Sequence, residues 1–161
     1  MADLHPNLTA LAPLLGAWRG RGAGEYPTIT SFGYTEEIEF GHVGKPFLTY
    51  RQRTSAIDDG RPLHAEVGYL RVPSPGRLEW VLAHPTGIAE IQEGTLTVTD
   101  TTIEIELAAT TVGRTTSAKD VEALSRSITV TGDSLTYRVR MAAVGQPLQH
   151  HLGATLHRMA P

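Results

Sequence analysis

Pro147-Leu148-Gln149-His150-His151-Leu152-Gly153-Ala154-Thr155-Leu156-His157-Arg158 reads as a β-strand. Leu152, Ala154 and Leu156 alternate with Gly153, Thr155 and His157, the period-two pattern of a sheet with one packed face. Three of the chain's seven histidines fall in this run. Neighbouring strand residues point to opposite faces, so His150 and His151 cannot both look inward on a regular strand. The run therefore asks which imidazole faces the core and what it does there.

Working back from this strand, the same pattern recurs. Val144-Gly145-Gln146-Pro147 joins it to a strand over 135–142, and Gly132-Asp133 joins that to one over 126–130. Ser117 to Leu124 carries a weak helical pattern, which predicts a helical turn or a loop. Asp100 precedes a strand over 102–109, in which Ile103, Ile105 and Leu107 alternate with Glu104 and Glu106. Further strands are predicted over 88–94, 78–84, 63–72 and 47–54, separated by Pro85-Thr86-Gly87, Pro73-Ser74-Pro75-Gly76 and Asp58-Asp59-Gly60. Phe32, Tyr34, Ile38 and Phe40 share one face of an earlier strand, with Thr35, Glu37 and Glu39 on the other. Before it, Gly16, Gly20, Gly22 and Gly24 leave one face of a strand bare, so it can bend or let another backbone approach. Leu8, Leu11, Ala12, Leu14 and Leu15 recur at helical spacing with Asn7 as cap, and Pro13 keeps that segment short.

The total is about ten strands with turns roughly every 10–15 residues, the rhythm of an antiparallel up-and-down meander. A sheet of that size curls, and closure removes its exposed edges. Ten strands exceed the roughly eight whose interior side chains just fill a barrel, so a ligand cavity is expected. The predicted fold is all-β: a ten-stranded antiparallel up-and-down β-barrel with a short N-terminal helical segment. One domain is expected over residues 1–161, since 161 residues suit one core better than two.

Composition narrows the function. The net charge of −3 offers no footprint for nucleic acid. No apolar run approaches the ~20 residues that span a bilayer, and the first residues lack the features of a signal peptide; a soluble cytoplasmic protein is expected. With no cysteine, disulfides, iron–sulfur clusters and thiolate chemistry are excluded. Any metal must be held by histidine or carboxylate.

No nucleophile elbow, HExxH or EF-hand pattern occurs. His5, His42, His84 and His157 lie near turns or the termini and are read as surface residues. His64 alternates with Glu66 and Gly68; it faces either solvent beside Glu66 or the mouth of the cavity, across from His151. A lone barrel histidine is more often a hydrogen-bonded pocket residue than a metal ligand. A neutral imidazole can nevertheless supply the one axial bond that haem iron requires. Met141, ten residues before His151 on the adjacent strand, suits packing against a flat macrocycle or plain core filling.

Several motifs converge. Gly16-Ala17-Trp18-Arg19-Gly20-Arg21-Gly22, Tyr26-Pro27-Thr28, His42-Val43-Gly44-Lys45-Pro46, Leu63-His64-Ala65-Glu66 and Gln146-Pro147-Leu148-Gln149-His150-His151-Leu152 together resemble the nitrobindin family, most closely its mycobacterial and other actinobacterial members. The resemblance implies a ten-stranded barrel that binds one haem b per chain, with His151 as the axial ligand to iron. It also implies Thr28 as a haem contact, Lys119 beside a propionate and His64 on the open distal side, where it either orients an anion or shields the iron. The implied activity is isomerisation of peroxynitrite to nitrate by five-coordinate ferric haem, with binding of nitric oxide; the implied assembly is a homodimer. Two other functions share the barrel: a non-catalytic nitric oxide carrier or sensor, and a lipid carrier of the fatty-acid-binding type. Arg51, Arg53, Arg138 and Arg140 could meet a lipid carboxylate, but their alternation with apolar residues predicts outward placement. Regular alternation sets His151 opposite the apolar face of its strand. Either Gly153 and Thr155 leave room for the macrocycle inside, or a bulge near Gly153 changes the parity; the first is the expectation here.

Overall fold

Where helical spacing gives way to alternation at Gly16, the chain enters a meander that does not stop until Arg158. The computed structural model describes residues 2–161. Its ten strands are β1 (Gly16–Gly24), β2 (Phe32–Gly41), β3 (Leu48–Ala56), β4 (Pro62–Ser74), β5 (Arg77–His84), β6 (Ile88–Thr99), β7 (Thr102–Arg114), β8 (Val121–Thr131), β9 (Ser134–Ala143) and β10 (Gln149–Arg158). Each pairs antiparallel with its sequence neighbours. β1 also pairs with β10, from Trp18 opposite Arg158 to Gly24 opposite Leu152, so the sheet is a closed barrel.

The bare face of β1 makes that closure work. A Cβ on Gly20 would stand 2.0 Å from the Thr155 carbonyl oxygen, and one on Gly22 would stand 2.6 Å from the Gly153 carbonyl oxygen. Only glycine lets β10 come this close, as the spacing of these residues predicts.

One expectation holds in part and one needs correction. Of the helical turn or loop expected over 117–124, the loop is present at 115–120, and Val121 opens β8 opposite Ala143. Burial of Val121 and Leu124 beside Tyr26 and Val139 decides this, because tertiary packing outweighs a weak local helical pattern. The N-terminal segment is a 3₁₀ helix, Pro6–Leu14, and its cap is His5, not Asn7: His5 Nδ1 accepts the Asn7 backbone N–H at 3.2 Å. Pro6 at the first helical position has no N–H to satisfy.

That helix closes one end of the barrel. Leu8, Leu11 and Leu14 are fully buried, and the Trp18 indole N–H donates to the Leu14 carbonyl at 2.8 Å. Each such leucine contributes roughly 1.5–3 kcal/mol relative to exposure. β1 starts at this plugged end. The connections after β1, β3, β5, β7 and β9 therefore lie at the opposite end, which stays open. No helix among the described residues is long and apolar enough to cross a membrane.

Candidate functional site

A cavity of about 500 Å³ occupies the open half of the barrel, within the ~300–1,000 Å³ typical of small-molecule sites. Thr28, Lys119, Met141, His64 and His151 all line it, so the fold brings together the residues singled out in the sequence. Thr28 and Lys119 are exposed at the rim, in the β1–β2 and β7–β8 connections, and Met141 lies half-buried on β9. The walls around them are mainly apolar, with Ile38, Ile88, Leu124, Val139 and Leu152 among the lining residues.

His151 reaches the cavity through a bulge. On β10, His150 pairs with Arg140 and Leu152 pairs with Val139, so His151 is an extra residue between successive partners on β9. The bulge lets His151 and Leu152 both line the cavity while His150 is exposed. Gly153 and Thr155 make no room inside. Gly153 has the His150 ring as neighbour and Thr155 is exposed. The expected parity is thus corrected: an inserted residue re-aims the side chain, as bulges do.

The chemistry of that imidazole follows from its partners. Its Nδ1 lies 3.0 Å from the Glu25 carbonyl oxygen. A carbonyl only accepts, so Nδ1 carries the proton and Nε2 keeps its lone pair. The Glu25 backbone N–H donates back to the His151 carbonyl at 2.8 Å, which clamps the residue from both sides. The Tyr26 ring meets the imidazole edge-on at 5.4 Å, and the Ala143 N–H holds the Tyr26 hydroxyl at 2.9 Å. Burial pushes the His151 pKa down, with the Glu25 hydrogen bond opposing, so the ring stays neutral at physiological pH. A neutral, oriented imidazole with a free Nε2 is a ready metal donor.

A polar layer lies deeper. Arg126 is buried and bonds both Glu66 (Nη1 to Oε1, 2.8 Å) and Glu90 (Nη2 to Oε2, 2.6 Å). Tyr50 donates to Glu66 at 2.7 Å and Gln92 to Glu90 at 2.7 Å. Burial alone would raise both carboxyls, but the Arg126 guanidinium outweighs it. Glu66 is held well below the usual carboxylate range, and Glu90 falls to about 2. His84 bonds Glu90 through Nε2, and His84 Nδ1 lies 3.0 Å from His64 Nε2. With Glu90 accepting, His84 Nδ1 is left as the acceptor for His64 Nε2–H.

The cavity-facing reading of His64 is the one the structure shows. His84, expected at the surface, instead has a side chain only 9% exposed. The turn at Pro85 obscured a plain parity signal: Leu78, Trp80, Leu82 and His84 alternate along β5. Arg126 was not singled out in the sequence; it lies between inward-facing Leu124 and Ile128 on β8, and that alternation is the signal that places it inside. Arg51, Arg53, Arg138 and Arg140 all point outward, as read.

Glu36, also inward, is pushed up to about 7 by burial, with the Gln52 amide at 2.6 Å opposing. Its folded pKa exceeds its unfolded value, so its contribution to stability is complete below about pH 4.5 and is lost as the pH rises toward 7. Glu36→Gln removes this slope. Urea unfolding of the variant should vary less between pH 4.5 and 7, by at most about 3 kcal/mol. An unchanged slope assigns the titration to another group.

These features suit a flat aromatic macrocycle: a mainly apolar open cavity, one free imidazole nitrogen, a thioether beside it and a lysine at the rim for an anionic edge. The comparisons agree. Residues 7–158 match the family model described as the THAP4-like, heme-binding beta-barrel domain. The chain is 64% identical over 157 residues to a Mycobacterium ulcerans protein named peroxynitrite isomerase 2, covering 98% of each. It is 61% identical over 155 residues to a Nocardia farcinica protein named peroxynitrite isomerase, covering 96% of this chain and 92% of that one. The crystal structure of Rv2717c from M. tuberculosis matches with a TM-score of 0.96 at 58% identity, covering 98% of this chain and all of that one.

Proposed function

This chain belongs to the family of THAP4-like, heme-binding β-barrel domains, and on that premise we propose that it binds one haem b through His151 and isomerises peroxynitrite to nitrate. The observation that carries the reading is the His151 ring, with Nδ1 tied to the Glu25 carbonyl and Nε2 free on the cavity wall. When bound, ferric haem supplies an open Lewis-acid position for an anionic oxidant. The chain's own residues do the rest. His151 would hold the iron through its free Nε2. Met141 would pack against the macrocycle, Thr28 would hydrogen-bond at its edge and Lys119 would pair with a propionate.

His64 stands on β4, four strands round the barrel from β10 in one direction and six in the other, and so nearly across from His151. Its Nε2 is engaged by His84, which keeps it from closing the distal position and leaves it to shield that side or orient the anion. Nitric oxide binding needs the same open position and no further residue.

The lipid-carrier reading loses its anchor. Among the described residues, Arg126 is the one arginine lining the cavity, and two carboxylates already neutralise it. The test of the isomerase reading is stopped-flow decay of peroxynitrite with ferric, haem-loaded protein. The rate should rise in proportion to bound haem and exceed that of equimolar free haemin. Equal rates would overturn the catalytic assignment.

A further inference from the structure

β4 and β5 carry a second constellation in the cavity wall, independent of His151. Two residues beyond the Gly68–Leu82 pair, Glu66 and His84 face one another, and His64 sits two residues from Glu66 on the same face of β4. His64 Nε2, His84 Nδ1 and Glu66 Oε2 form a small triangle. Its edges are 3.0 Å between the imidazoles, 3.5 Å from His64 to Glu66 and 3.4 Å from His84 to Glu66. Ligand atoms about 2.0–2.1 Å from a common tetrahedral centre lie about 3.3–3.4 Å apart. The two longer edges exceed the ~2.7–3.2 Å of a good N–H···O bond and lie close to that tetrahedral spacing. The 3.0 Å edge is the imidazole–imidazole hydrogen bond that a shared metal ion would replace.

We propose that His64, Glu66 and His84 form a site for a divalent first-row transition metal, bound by two imidazoles and one carboxylate, with its open positions toward the cavity. The donor set carries no thiolate and suits zinc or ferrous iron. The groups behind the ligands are already in place. Glu90 accepts from His84 Nε2, the carboxylate–histidine arrangement that orients metal-bound imidazoles. Tyr50 and Arg126 Nη1 hold Glu66 Oε1 at 2.7 and 2.8 Å, which leaves Oε2 as the ligand atom; Arg126 Nη2 approaches that oxygen at 3.3 Å. Two carboxylates against one guanidinium leave the cluster one negative charge in excess, which favours a dication. Part of the interior polar layer thereby gains a purpose beyond packing.

The test is a competition titration of zinc chloride against a chromophoric chelator. It uses haem-loaded wild-type protein and the His64→Ala, His84→Ala, Glu90→Gln and His151→Ala variants, with folding of each checked by circular dichroism. Wild type should bind one zinc ion per chain. His64→Ala and His84→Ala should each weaken binding more than tenfold, and Glu90→Gln by ~10–100-fold. His151→Ala should bind zinc as wild type does, whether or not it holds haem, so this site and the haem assignment fail separately. His64 is half-exposed at the mouth, so its variant keeps the test open should His84→Ala not fold. Absence of zinc binding, affinity unchanged in both histidine variants, or loss of zinc in His151→Ala would overturn the proposal.

Discussion

His151→Ala should not form the Soret band that haemin produces with the wild-type chain, and its haem affinity should fall more than about a hundredfold. Loss of an outer partner of a metal ligand already costs ~10–100-fold, and here the donor atom itself is removed. No neighbour can replace it. His150 is adjacent in sequence but exposed on the outside of the barrel, and the bulge that turns His151 inward is what separates them. His64 is tied to His84 near the opposite wall. His150→Ala should therefore keep the wild-type spectrum, and the pair of variants identifies the ligand. The reverse result, with haem lost from His150→Ala and kept by His151→Ala, would move the iron to the other imidazole.

Arg126→Met should be the most damaging substitution in the interior, at about 3–5 kcal/mol near pH 7, because it strands two buried carboxylates. For a chain of this size that corresponds to a fall in Tm of roughly 6–20 °C. The pH dependence separates this cause from loss of packing. In wild type, Glu66 and Glu90 titrate below their unfolded values, so the stability they contribute is present above about pH 4.5 and is lost as the pH falls through their folded values. Without Arg126, the largest influence opposing burial is gone, only the His64 and His84 contacts still oppose it, and both carboxyls rise. Their contribution is then recovered as the pH falls from 7 toward 4.5. The gap between variant and wild type should narrow across that range in urea unfolding when both are measured in the Glu36→Gln background, because Arg126 also acts on Glu36. A gap independent of pH would mean that packing, and not charge, explains the loss.

Much of the fold was legible because alternation is a strong signal wherever one face packs. Ile103, Ile105 and Leu107 against Glu104 and Glu106 place β7 without ambiguity, and the glycines of β1 foretell the close approach of β10. The site was less legible, for physical reasons. A bulge adds one residue without a distinctive sequence mark, so the parity of His151 could not be read from its neighbours. His84 obeys the alternation of its strand, yet the turn at Pro85 argued for the outside, and Arg126 carried no motif to single it out. Inside, His84 is hydrogen-bonded by Glu90 and Arg126 is neutralised by Glu66 and Glu90. That arrangement depends on the pairing of β4, β5 and β6 and on β8 facing them across the cavity. The loop 115–120 and the His5 cap turned on tertiary packing and on local hydrogen bonding that spacing does not reveal. What spacing did reveal was that His64 shares a face with Glu66, the start of the cluster found in the cavity wall.

With a ferric haem held by His151, this barrel should convert peroxynitrite to nitrate. The most direct measurement is the nitrate yield from peroxynitrite, with free tyrosine present as a nitration reporter, as ferric haem-loaded protein is added. Nitrate should rise and tyrosine nitration should fall in step with bound haem, and His151→Ala mixed with the same haemin should give no more protection than haemin alone. Nitration that stays constant with added holoprotein, or a variant that protects as well as wild type, would contradict it.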